Sequence, residues 1–137
     1  MSRAVPVLAA LALAACAAPE ATEQARPLPA ASLTGQTWVL DTLGPDPVAT
    51  PVTATFAGTR VSGAAPCNRY FGAFEADGDR LTIDAVAATR AICPDQDLET
   101  RYLSALTEVA TVAFTAAQMT LFDREGVELM TFVAITN

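Results

Sequence analysis

A mainly β (α+β) fold, a compact antiparallel barrel-like sheet with one amphipathic helix, is what the sequence predicts for residues 32–137. Three observations predict it. Apolar and polar residues alternate in several short runs, glycine-bearing turns separate those runs, and one segment carries apolar residues at helical spacing.

The strands come first. Trp38 and Leu40 face one way while Thr37 and Val39 face the other. Val52, Ala54 and Phe56 alternate with Thr53 and Thr55, the pattern of a half-buried strand. Ala57-Gly58-Thr59 then turns the chain into Arg60–Gly63, and Asp77-Gly78-Asp79 turns it into the alternating Leu81-Thr82-Ile83-Asp84. The last third repeats the theme in Val112–Thr115, Met119–Phe122 and Val127–Ala134, the last two joined by the hairpin loop Asp123-Arg124-Glu125-Gly126. Val127–Ala134 is apolar on both faces, which predicts a central or doubly covered strand.

The helical segment follows Pro94. Leu98, Tyr102, Leu106 and Val109 fall at steps of four, four and three, with Ala105 on the same face. Asp95, Asp97 and Glu99 crowd the first turn, where carboxylates suit the positive end of the helix dipole. The same trio imitates the start of a calcium loop. Thr100 stands where that loop needs glycine, however, and Leu106 where it needs a bidentate glutamate, so no metal site is expected.

Upstream of the domain, Arg3 precedes an apolar run to Ala18 that Pro6 interrupts. That run is too short for the roughly 20 residues of a spanning helix. A positive start, a short apolar stretch and a cut site of small residues describe a secretory signal. Leu-Ala-Leu-Ala-Ala-Cys at positions 11–16 resembles a bacterial lipobox. The expectation is a signal peptide over 1–15, lipidation of Cys16, and a tether over 16–31 whose prolines and small residues cannot support a core. Ala17, rather than aspartate, resembles the pattern that sends lipoproteins onward. The expected location is therefore the bacterial cell envelope, at the periplasmic face of the outer membrane, with the lipid as membrane anchor.

Composition narrows the chemistry. The chain carries a formal charge of −7 and has no histidine. All eight basic residues are arginine, so there is no lysine. Nucleic acid is an unsuitable partner for so acidic a chain. The usual general base and metal ligand are missing, as are lysine nucleophiles. No cofactor and no enzymatic activity are expected, and a monomeric domain is. With Cys16 lipidated, Cys67 and Cys93 remain as a pair. In an oxidising compartment they are expected to form a disulfide, with a soft-metal or redox site and two separate thiols as competing readings.

Several motifs together resemble the META domain of heat-inducible HslJ-like lipoproteins. Leu33-Thr-Gly-Gln-Thr-Trp38-Val-Leu40 is similar to the family's opening, and Phe56 with Arg60-Val-Ser-Gly63 to its second and third strands. Cys67-Asn68-Arg69-Tyr70-Phe71-Gly72 resembles its central motif, Thr89-Arg90-Ala91-Ile92-Cys93 the stretch before its helix, and Leu121–Gly126 its last hairpin. One departure is Pro66, where the family usually has glycine; proline fixes φ and removes a donor, so the loop entering Cys67 is expected to differ. The resemblance implies a barrel-like β fold, an envelope location and links to heat stress, motility or drug tolerance.

A Cys67–Cys93 bond would draw Asn68, Arg69, Thr89 and Arg90 together. One reading has the asparagine and threonine closing loops while the arginines pair with carboxylates. The other makes the four a ligand or partner patch for anions. The expected function is a non-enzymatic, membrane-anchored lipoprotein that supports envelope integrity or stress tolerance through contacts with an envelope protein. The alternative is a small-molecule or peptide binder, or a protease inhibitor, on a β-barrel scaffold. A core filled by Trp38, Phe56, Phe74, Phe114 and Phe132 favours the first and an open apolar cavity the second. A carboxylate hydrolase is the enzymatic competitor.

Overall fold

The computed structural model describes residues 32–135; Cys16, the leader and the tether lie outside the described residues. Nine strands and one helix follow in order: β1 (Thr37–Leu43), β2 (Asp46–Pro47), β3 (Thr53–Ala57), β4 (Arg60–Ala64), β5 (Arg69–Asp77), β6 (Arg80–Ala88), α1 (Gln96–Glu108), β7 (Thr111–Phe114), β8 (Gln118–Phe122) and β9 (Glu128–Ile135).

The strands form one antiparallel sheet in the order β2-β1-β3-β4-β5-β6-β7-β8-β9, and an added β1–β9 pairing closes it into a ring. β1 makes that closure. Its first half pairs with β3 through Trp38↔Ala54, its end pairs with β2 through Leu43↔Asp46, and its other edge runs along β9 from Thr37↔Ile135 to Leu43↔Met130. The ring is tight almost everywhere. The exception lies between β6 and β7, which face each other at Arg80↔Thr111 alone. The chain between them runs through α1, which packs beside β6.

Period-two alternation sends one face of each strand inward. Trp38, Leu40, Phe56, Phe74, Phe114 and Phe132 are all buried, and all but Leu40 belong to the four aromatic pairs that knit the centre: Trp38 lies 5.8 Å from Phe114, Phe56 5.1 Å edge-on to Phe74, and Phe132 6.5 Å from Tyr102. Each such fully buried side chain contributes about 1.5–3 kcal/mol relative to exposure. The Trp38 indole N–H donates to the Leu33 carbonyl at 3.1 Å, so the ring is buried without an orphaned donor.

Several expectations need adjusting. β5, which periodicity had not marked, is a nine-residue strand with Tyr70, Gly72 and Phe74 inward; Gly72 interrupts the apolar signal. An added Cβ there would lie 3.0 Å from the Asp84 carbonyl oxygen, close enough that the neighbouring strand would have to shift by a few tenths of an ångström. β9 is central, one of the two arrangements expected of it, paired with both β8 and β1, and its outer face is open, with Val133 and Ile135 exposed. Glu99 is not a solvated first-turn carboxylate but a buried one. No helix of the described residues is long and apolar enough to cross a membrane.

Candidate functional site

The sequence-derived patch lies where the β4–β5 loop meets the segment before α1. Cys67 and Cys93 are joined by a disulfide, with their Cα atoms 5.5 Å apart. Beside it, Glu99 reaches from the first turn of α1 into this junction. Its Oε2 accepts the backbone N–H groups of Cys67 and Asn68, each at 2.8 Å, and its Oε1 accepts the Asn68 side-chain amide at 2.5 Å. The Asn68 amide also donates to the Ala91 carbonyl at 3.0 Å. Its Oδ1 accepts the Ala91 N–H at 2.6 Å and the Thr89 hydroxyl at 2.9 Å. Thr89 Oγ1 in turn accepts the Arg69 N–H at 3.2 Å.

These bonds divide the four patch residues. Asn68 is buried and all its side-chain capacity goes to tying two loops and a helix together. Thr89 serves the same junction. Arg69 and Arg90 stay exposed, and neither takes the carboxylate partner expected of it; among the described residues the ion pair is Arg101–Asp46 at 2.9 Å, between α1 and β2. Glu99 was missed as a member of this junction. The signal was present, since Glu99 precedes Tyr102 and Leu106 by three and seven and so shares their buried face.

Inside the ring, the Tyr70 and Tyr102 hydroxyls meet at 2.7 Å, and Tyr70 also donates to the Thr53 carbonyl at 2.9 Å. Burial raises Tyr70 well above the ordinary phenol range, with the Tyr102 bond offsetting part of the rise. Burial, then the neighbouring Tyr70, raises Tyr102 as well. Both are neutral hydrogen-bonding groups at physiological pH. Every buried side-chain nitrogen and oxygen among the described residues has a partner. The interior is packed and satisfied.

An open surface cleft of about 640 Å³ lies at the loosely paired β6–β7 seam. Its walls carry Asp84, Glu108, Asp123 and Glu125 together with Arg80 and Arg124. No group of three or more histidine, cysteine or acidic side chains among the described residues is set to hold a metal ion. The cleft offers charged groups of both signs and a strand edge; it is not an apolar pocket.

Comparison with known proteins gives one family and one fold. A family model described as the META domain matches residues 31–135. Among curated proteins none matches the chain. A protein from Burkholderia xenovorans, solved by NMR, is 25% identical with a TM-score of 0.66, over 98% of this chain and 99% of that one. A second protein solved by NMR is 27% identical with a TM-score of 0.62, over 75% of this chain and 92% of that one. A crystal structure of a DUF4847 family protein from Bacteroides vulgatus, 15% identical with a TM-score of 0.50, shares the fold over 60% of this chain and 57% of that one.

Proposed function

The chain belongs to the META domain family, and from that premise we propose that it is a non-enzymatic, lipid-anchored envelope protein acting through contacts with another envelope protein. The observation that carries this reading is the filled interior. Trp38, Phe56, Phe74, Phe114 and Phe132 occupy the space a barrel-type binder would keep open. The buried carboxylate of Glu99 is committed to three donors, and the tyrosine pair is neutral, so neither supplies a free acid or base. The lipobox-like Leu-Ala-Leu-Ala-Ala-Cys supports the anchor, and its lipid would hold the domain on the membrane.

Intact-mass analysis of the native protein tests the anchor. A species lacking residues 1–15 and carrying acyl groups on Cys16 is expected; a species keeping its leader overturns it. Deleting the gene in the source organism tests the role, and unchanged tolerance to heat, detergent and hydrophobic antibiotics counts against it. Crosslinking to find the partner needs carboxyl-reactive or photo-activated reagents, because the chain has no lysine.

One observation favours a second reading. The cleft beside β6 borders a strand edge that β7 leaves after Arg80↔Thr111, a place where an extended peptide can add as a strand. A peptide binder or protease inhibitor would use it. Inhibition of a member of a secreted-protease panel, lost on changing Thr82 or Asp84, would favour that reading over the first.

A further inference from the structure

The outer face of β1, β3, β4 and β5 carries a second concavity of about 490 Å³ whose lining includes two arginines and no carboxylate. That segregation is notable in a chain of formal charge −7, whose cleft at the β6–β7 seam holds four acidic side chains. Cross-strand register builds its floor. Thr37 pairs with Thr55, Thr55 with Ser62, and Ser62 with Phe71, which sets three hydroxyl side chains and one ring in a row across four strands. Adjacent strands lie about 4.8 Å apart, so the hydroxyl row spans roughly 10 Å. The Thr37 and Thr55 hydroxyls are 3.3 Å apart.

At the end of the row, the guanidinium of Arg60 lies 4.7 Å over the Phe71 ring, which holds an otherwise floppy side chain in place. Arg69 shares the outer face of β5 with Phe71 two residues along. Neither arginine takes an ion-pair partner among the described residues. Two guanidinium forks are thus presented to solvent beside a row of groups that both donate and accept.

We propose that this face binds an acidic oligosaccharide, with carboxylates on its sugars against Arg60 and Arg69 and ring hydroxyls along Thr37, Thr55 and Ser62. The chemistry of the face selects this occupant. β3, β4 and β5 are paired on both edges, so they have no free backbone ladder for an added peptide strand. Phe71, the one exposed large apolar side chain in the groove, has Arg60 over one face of its ring and stays 45% exposed, a lone ring on an open surface rather than a pocket for a protein's aromatic anchor or an acyl chain. A polyhydroxylated anion meets both remaining features. This assignment goes beyond the proposed function and stands apart from anchoring.

The test is calorimetric titration of the full-length protein in detergent with trigalacturonic acid, with maltotriose as the neutral counterpart and inorganic phosphate as a bare anion. Trigalacturonate is expected to bind at least about tenfold more tightly than maltotriose. Arg60→Ala and Arg69→Ala each are expected to weaken it about tenfold, the loss for one charge-assisted hydrogen bond. Arg124→Ala, in the other cleft, leaves it unchanged, and all three variants keep the parent melting temperature because these side chains are exposed. Equal binding of maltotriose, phosphate displacing the oligosaccharide at equal concentration, no effect of either Arg60 or Arg69, or no binding of trigalacturonate overturns the proposal.

Discussion

Glu99 shows how much a single side chain can organise. Removing its charge leaves two backbone N–H groups and an amide facing an oxygen that can no longer accept them all. Glu99→Gln retains the shape but turns an NH2 group toward those donors. The expected loss is about 2–3 kcal/mol, the penalty for unsatisfied buried donors to a charged acceptor, measured as a lowered urea midpoint at neutral pH. An unchanged midpoint would mean that the junction stands on the disulfide alone. Tyr70 and Tyr102 make a separate prediction. Their protons are held more tightly in the folded state than in the unfolded chain, so their contribution is fully present below pH ~10 and falls as pH rises past that ordinary phenol value. With two tyrosines titrating in the unfolded chain, the slope is up to about 2.7 kcal/mol per pH unit. The absence of lysine leaves this window uncrowded. Urea melts between pH 8 and 11 should be flat and then fall, and Tyr102→Phe should roughly halve the slope.

Among the elements, β6 stores a strained residue. Ala85 has φ of +51°, where the β5–β6 register shifts between Phe71 and Ala73. A left-handed non-glycine residue costs on the order of 1 kcal/mol or more. Ala85→Gly should therefore raise stability by about 0.5–1 kcal/mol despite the usual entropy penalty of glycine, and Ala85→Val should lower it. Thermal unfolding of the two variants decides; a destabilised glycine variant would mean that the bulge is not strained. α1 reads as an amphipathic helix from spacing alone, and its range of Gln96–Glu108 agrees. The role of its first turn did not, because dipole arguments concern solvent-exposed ends while Glu99 answers to donors 31 and 32 residues away.

For the whole molecule, the Cys67–Cys93 bond, across a sequence separation of 26, ties the β4–β5 loop to the segment that leads into α1. In the chain-entropy account it contributes about 3–4 kcal/mol, a large part of a typical domain stability of roughly 5–15 kcal/mol. Reduced protein should unfold at correspondingly lower urea, and an unchanged midpoint under reductant would refute the staple. Much of this architecture is local information. Alternation in Thr37–Leu40, Val52–Phe56 and Leu81–Asp84, the spacing from Leu98 to Val109, and glycines at turns each depend on neighbours a few residues away, so the sequence by itself determined the β class, the helix and the inward aromatics. The assembly of distant surfaces was decided by the tertiary structure alone. Strand register put Thr37, Thr55, Ser62 and Phe71 in one row, ring closure turned β9 into a central strand with an open outer face, and long-range hydrogen bonds drew Glu99 inward. None of these is encoded by periodicity, because register and closure are properties of pairs of segments, fixed only when the whole sheet packs.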